Sequence, residues 1–423
     1  MTYEPVSPSA MNGQTPQIRA VRSRVVNGKR TVLSKGVRHR LEKDNCNWYG
    51  KKNLRGWDEP SFSPNSTGRR LVRGFFGHTR FATTSKATMD GTHPHQFSPR
   101  KIYNIYPFQS SEASRSPDKS MVTPKSQLVG VENYVTHNGD FEFYKICGRY
   151  YDTESIQKFL VKTLHVPLPS TVDSAAVAGM MDLLRVQGSF ALSARYAISL
   201  KMENAKGVDI LETDTILLFK PEHYETIGKI FERQLDKLVE ESEIHALEVI
   251  SSSSALRSRL VFNVMESIRS LSVGKSNDNR RSSALIILAE FVSFDVEDAD
   301  LSLFVNSTID AFFDNDLLHS MRIFLENAKG SFGICVTSSM DAHRQVVFAA
   351  KGQTMSIAFY PRRGIVCYGS EQAAVKAGLN YDTPAGSSKF KTDYSCSDEN
   401  AVRLDLDDLG GEIVSVDTVR TPV

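Results

Sequence analysis

Four short polar signatures stand close together in this chain of 423 residues: Gly77-His78-Thr79-Arg80-Phe81-Ala82-Thr83, Thr92-His93-Pro94-His95, His137-Asn138-Gly139-Asp140 and Asp152-Thr153-Glu154. Each carries residue types that could do chemistry. Arg80 can offer a planar two-pronged donor to a carboxylate, and it can equally be a surface arginine. Asn138 can donate its side-chain N–H to a developing oxyanion, and Gly139 lets a backbone N–H come close to one. The same Asn-Gly pair is also a hairpin-turn signal. Asp152 can pair with an ammonium group, or it can cap the helix that follows it. His93 and His95 flank a proline with no third ligand near in sequence, so they read as structural or exposed residues before metal ligands.

The order of the four signatures within 78 residues resembles the glutaminase domain of class II glutamine amidotransferases, most closely the glutamine–fructose-6-phosphate aminotransferase branch. The resemblance extends to Gly330-Ser331-Phe332-Gly333, to Ala349-Ala350-Lys351-Gly352-Gln353, to Tyr368-Gly369-Ser370-Glu371 and to Leu409-Gly410-Gly411-Glu412-Ile413. It therefore covers roughly half the chain, in two blocks separated by an insertion. It implies a four-layer α/β/β/α sandwich of two antiparallel sheets, an α+β fold. It implies that Arg80 and Thr83 contact the glutamine carboxylate, that Asn138 and Gly139 form the oxyanion hole, that Asp152 contacts the substrate amine, and that His93 lies in the loop that orders the site. It implies glutamine as substrate, an ammonia-accepting domain or subunit as partner, and no cofactor.

The sequence departs from the family at three points. The family's nucleophile is a cysteine at residue one, whereas this chain begins Met1-Thr2-Tyr3. Phe81 stands where the closest relatives carry Trp, and Thr84 where they carry His. Cys46, 34 residues before Arg80, has polar flanks and reads as an ordinary free thiol. Two expectations follow. One is a glutaminase whose catalytic start lies upstream of this sequence, making ammonia for an acceptor such as a sugar phosphate. The other is a catalytically inactive descendant that binds glutamine or serves in assembly. A nucleic-acid role for the basic arm is a third reading. It is disfavoured because no aromatic-rich basic motif stands in the globular part.

Several elements must position these residues. Between Pro5 and Leu41 there is no acidic residue but many basic ones, so residues 1–69 read as a basic, largely disordered arm. Residues 70–200 read as the first half of the glutaminase-like domain, with strands at Leu71–Gly77 and Leu128–His137, a long surface insertion over 98–127, and a helix from Asp152 to Leu164. Residues 201–320 have apolar residues at helical spacing, among them Ile227, Ile230, Phe231, Leu235 and Leu238, and read as a helical insertion. Residues 321–423 alternate as a meander of strands, with a short helix over Ser370–Gly378. The stretches Leu183–Leu192 and Phe324–Gly333 echo one another, and both read as a helix, a glycine and then a strand.

Composition sets outer bounds. With 51 basic and 49 acidic side chains, net charge points to no acidic or nucleic-acid partner. Five scattered cysteines without a Cys-x-x-Cys pair argue against a disulfide framework and a thiolate zinc site. They fit a reducing compartment, so a cytoplasmic location is expected, with organelle targeting by the basic arm as the alternative. The longest apolar run, Ala284–Ala289, is too short to span a bilayer, so no membrane association is expected.

Overall fold

Alternation of apolar and polar residues from Val129 onward builds the strand on which everything else is hung. The structure, a computed structural model, describes residues 2–5, 18–21, 95–108, 124–146, 148–164, 168, 170–202, 221–244, 246–273, 298–338, 340–341, 345–360, 365–370, 402–406 and 411–417. The chain divides into two units, 1–76 and 77–423. In the first, β1 (Thr2–Pro5) pairs antiparallel with β2 (Ile18–Val21).

The second unit begins with β3 (His95–Ile105), β4 (Gln127–Ile146) and β5 (Arg149–Asp152). Helices α1 (Thr153–Leu164), α2 (Asp173–Leu184) and α3 (Phe190–Ala197) follow, and a π-helical turn at Ile198–Met202 extends α3. Then come α4 (Pro221–Glu241), α5 (Leu247–Ser252), α6 (Ser254–Val273), α7 (Asp298–Asp314) and α8 (Leu317–Asn327). Strands β6 (Ala328–Ser338), β7 (Gln345–Lys351), β8 (Met355–Tyr360), β9 (Ile365–Gly369), β10 (Val402–Leu406) and β11 (Glu412–Asp417) complete the described chain. The protein is thus of mixed α+β type with antiparallel sheets. Among the described residues no helix is long and apolar enough to cross a membrane.

One sheet has the order β11-β7-β6-β4-β3, with β5 also on β4; a second has the order β10-β8-β9. Register sorts the side chains of the larger sheet into two faces. On one face lie Val135, Val336 and Val347, which are paired across three strands and fully buried. This face packs on helices: Asn133 donates to Asp182 of α2 at 3.0 Å, and Phe332 meets Phe324 of α8 at 5.9 Å between ring centres. On the other face Thr136, Cys335 and Phe348 form the neighbouring row. That row meets the smaller sheet, where Tyr368 of β9 lies 5.0 Å from Phe348. Helices, larger sheet and smaller sheet therefore form three successive layers.

The helices between α3 and α8 bury an aromatic cluster. Phe190 of α3 stacks on Phe312 of α7 at 3.8 Å and 7°, and Phe231 of α4 stacks on Phe190 at 5.3 Å. Large buried aromatic area of this kind dominates core energetics. Two buried ion pairs brace the fold, one between helix and sheet and one between helices. Arg185, after α2, grips Asp341 in the β6–β7 turn through Nε–Oδ2 and Nη2–Oδ1, the latter at 2.9 Å. Arg195 of α3 reaches Asp182 of α2 at 3.1 Å.

Three sequence expectations need correction. The stretch expected as a surface insertion over 98–127 contains most of β3; Pro99 falls in the register shift between Phe97 and Lys101, where no ladder N–H is needed. Asn138-Gly139 does not end a strand in a turn, because β4 runs unbroken from Gln127 to Ile146. The first copy of the internal echo is helix–turn–helix, not helix–strand: Ser189 caps α3 by accepting from the Leu192 N–H at 3.5 Å. The expected strand Leu71–Gly77 lies outside the described residues, as does all but Ser370 of the expected helix at Ser370–Gly378.

Candidate functional site

Asn138 and Gly139 sit on β4 where one edge of the strand changes partner while the other stays on β6. Along one edge β6 pairs Asn138 with Gly333 and Gly139 with Phe332. Along the other edge β3 stops at the His95–Val135 pair and β5 starts at Phe143–Asp152, leaving residues 136–142 without a strand among the described residues. Side chains fill part of that gap. Asp173 at the start of α2 accepts the Phe141 N–H at 3.1 Å, and the Thr153 hydroxyl donates to the Phe141 carbonyl.

Backbone geometry explains the glycine. Gly139 has φ +104°, a conformation L side chains rarely adopt, and a Cβ there would overlap the Ser331 carbonyl oxygen. Opposite, Gly330 has φ +140°, and a Cβ there would overlap the Asp140 carbonyl oxygen. The two glycines let β4 and β6 approach closely just before the register shift between Phe141 and Phe143.

Asn138 projects from the face turned to the smaller sheet, beside Gly333, which offers no side chain. Its Nδ2 donates to Gln353 Oε1 at 3.4 Å. Gln353 lies between β7 and β8, in a turn held down by Ser331, whose hydroxyl donates to the Gly352 carbonyl at 2.7 Å. Thr354 continues the bracing by donating to the Ser370 carbonyl at 3.2 Å. Asn138, Gly139, Ser331 and Gln353 are all partly exposed, so the cluster opens to solvent at one end of the space between the sheets.

Beneath it, on the helix face, His137 is almost wholly buried, with Nδ1 3.8 Å from Asp173 Oδ2. Burial pushes its pKa below the usual histidine value, and the nearby Asp173 and Asp140 carboxylates oppose that shift in part. Cys335, on the sheet-to-sheet face, is buried and its thiol is pushed up to about 12, chiefly by desolvation. The Cys367 thiol is raised for the same reason. Neither is poised as a thiolate nucleophile.

The structure places Asp152 at the N-terminus of α1, exposed, with its carboxylate accepting the Ser155 N–H at 2.8 Å. Those hydrogen bonds from Ser155 hold its pKa below the ordinary carboxylate value. Asp152 pairs with Phe143, and Phe143 lies opposite Lys329, four positions along β6 from the Gly333 that faces Asn138. The separation along the strand is roughly 13 Å. Asn138 and Gly139 are neighbours on β4, and Asp152 stands farther along the same sheet, on β5. Arg80, Thr83 and His93 lie outside the described residues, and so does Cys46.

Sequence reasoning passed over Gln353 and Ser331 as site residues. The signal available was that both stand in stretches that carry the resemblance, each next to a glycine: Gly330-Ser331, within β6, and Gly352-Gln353, after β7. Among the described residues no group of three or more His, Cys, Asp or Glu side chains is set to hold a metal ion. Comparison with protein-family models, with curated proteins and with solved structures finds no match to the chain.

Proposed function

We propose that residues 70–200 and 321–423 form a four-layer α/β/β/α sandwich of the class II glutamine amidotransferase type, and that it acts on the side-chain amide of L-glutamine. In this reading water cleaves the amide C–N bond, its oxygen going to the new glutamate carboxylate and a proton to the released ammonia. The ammonia passes to an acceptor on another domain or subunit, with a sugar phosphate as the acceptor the resemblance suggests. Asn138 and Gly139 would face the amide oxygen as it gains negative charge, the point at which fixed donors contribute most. The nucleophile is unassigned, since neither described cysteine has thiolate character. The observation that supports the reading best is Asn138-Gly139 itself. An Asn-Gly pair held inside a central strand, with φ +104° at the glycine and the Asn carboxamide at the open end between two sheets, is far from the hairpin turn such a pair usually makes.

A second reading, a catalytically inactive glutamine-binding or assembly module, has its own observation. Asp152 is engaged as a helix cap, its carboxylate accepting the Ser155 N–H. Ammonia release in a coupled glutamate dehydrogenase assay, together with calorimetric titration of L-glutamine, separates the two. Release that falls about 10²–10³-fold in Asn138→Ala supports the first. Glutamine binding without release supports the second. Neither binding nor release from the full chain overturns both.

A further inference from the structure

We propose that Gln353 is the positioning residue of the amide site: it fixes which edge of the Asn138 carboxamide faces the ligand, and so sets preference for a primary carboxamide over a carboxylate. The inference rests on the reading that Asn138 addresses a glutamine amide.

An asparagine side chain has a donor edge and an acceptor edge, and a half-turn exchanges them. An oxyanion-binding asparagine is useful only with Nδ2 turned to the ligand. Nothing in β4 enforces that choice, because Asn138 faces Gly333 across the ladder and gains no side-chain partner there. Gln353 does enforce it. Its Oε1 accepts one Nδ2 hydrogen at 3.4 Å, leaving the second hydrogen on the same nitrogen to donate outward.

Three further contacts hold Gln353 in place. Gly352 forms a parallel bridge with Phe332, the residue opposite Gly139. The Ser331 hydroxyl donates to the Gly352 carbonyl, and Thr354 donates to Ser370. Gly139 then supports the side chain from below: a Cβ at that position would lie 3.0 Å from Gln353 Cγ. The glycine therefore does two things, admitting the Ser331 carbonyl and leaving room for Gln353. With Asn138 so fixed, a carboxamide ligand is accepted by its oxygen. A carboxylate ligand meets the same donor but also the Gln353 Oε1 lone pairs, which repel it and can accept only from an amide N–H.

The test is calorimetric titration of the full chain and its Gln353→Ala and Gln353→Glu variants with L-glutamine and with L-glutamate. Glutamate still accepts from Asn138 Nδ2, so Gln353→Glu is the conservative variant. Gln353→Ala is expected to reduce glutamine affinity about fivefold, the size of one net hydrogen bond, with little change for glutamate. Gln353→Glu should restore the preference for glutamine. An unchanged glutamine-to-glutamate ratio in Gln353→Ala overturns the proposal. A parent chain that binds no glutamine means that the functional reading has failed instead. The isotope-labelled side-chain amide resonance of Asn138, assigned by its loss in Asn138→Asp, then decides the positioning role. Movement in Gln353→Ala with return in Gln353→Glu sustains it, and an unmoved signal overturns it.

Discussion

Alanine at Gly139 probes the backbone on which the candidate site depends, and two other glycines calibrate the result. Gly130 lies on the same strand, and a Cβ there meets nothing within 4 Å. Gly148 has φ +81° and also has open space around a Cβ. Gly139 has φ +104°, and its Cβ would overlap the Ser331 carbonyl and lie 3.0 Å from Phe332 Cα. Gly130→Ala should change stability by no more than about 0.5 kcal/mol in either direction. Gly148→Ala should cost about 1–2 kcal/mol for the positive φ alone. Gly139→Ala carries that cost and must also displace a backbone carbonyl held in the β4–β6 ladder, which adds about 1–3 kcal/mol. The total, about 2–5 kcal/mol, is a large share of the roughly 5–15 kcal/mol that stabilises a typical domain. Urea unfolding followed by far-ultraviolet circular dichroism reads all three variants as midpoint shifts at constant slope. Equal midpoints for Gly139→Ala and Gly148→Ala would refute the carbonyl overlap. Midpoints of all three at the parent value would refute the positive-φ argument as well.

Two further perturbations test the layers around the site. Arg185→Met leaves the Asp341 carboxylate, which is 6% exposed, without its guanidinium and should cost about 3–5 kcal/mol in the same urea assay. Adding Asp341→Leu to Arg185→Met should recover much of that loss, because an apolar pair replaces an unpaired buried charge; no recovery would mean the pair is not the cause. His137 supplies a pH dependence. Its folded pKa lies below its unfolded value, so the unfolded chain binds the proton first as pH falls. The contribution is constant above the unfolded value of about 6.5 and is lost below it, with a slope of up to about 1.4 kcal/mol per pH unit. Urea midpoints measured from pH 7.5 to pH 5 should therefore decline in the parent and decline less in His137→Leu; equal slopes would refute the assignment.

The parts of the fold that are legible in the sequence are those whose cause is local. The helix starting at Thr153 is announced by Asp152-Thr153-Glu154, and the Asp152 cap on Ser155 is the contact that short-range chemistry demands. The strands after Ala328 are visible because their alternation matches a sheet with one face on helices and the other on a second sheet. Strand β3 is hidden by Ser98-Pro99, which reads as a loop until the register shift on an edge strand gives the proline a place. The two echo segments show how far local reading reaches. Gly188-Ser189-Phe190 and Gly330-Ser331-Phe332 are identical in sequence, yet the first opens a helix and the second lies within a strand. Ser189 caps α3 and Phe190 stacks on Phe312, whereas Ser331 sits opposite Asp140 in a ladder and donates to Gly352. Tertiary partners decide between two states that the tripeptide itself supports about equally.

The same distinction separates the legible half of the candidate site from the hidden half. Asn138-Gly139 is conspicuous because the pair is a strong local signal, ordinarily of a hairpin turn. Its meaning is not local, since in isolation it favours a turn and only the close passage of β6 converts it into a strand with a left-handed glycine. Gln353 is 215 residues away, and the resembling stretch that ends on it does not mark it as a site residue. It becomes informative once β7 and β8 bring it over Gly139, where a Cβ would lie 3.0 Å from its Cγ and crowd it. The glycine seen first from the sequence is thus the reason that the glutamine could be missed: an absent Cβ leaves space, and only the folded chain shows what enters it. A site built in this way should fail from either side, by filling the space at Gly139 or by emptying it at Gln353. The first change should cost stability and the second ligand preference, because one contact belongs to the backbone ladder and the other to the exposed end of the sheets.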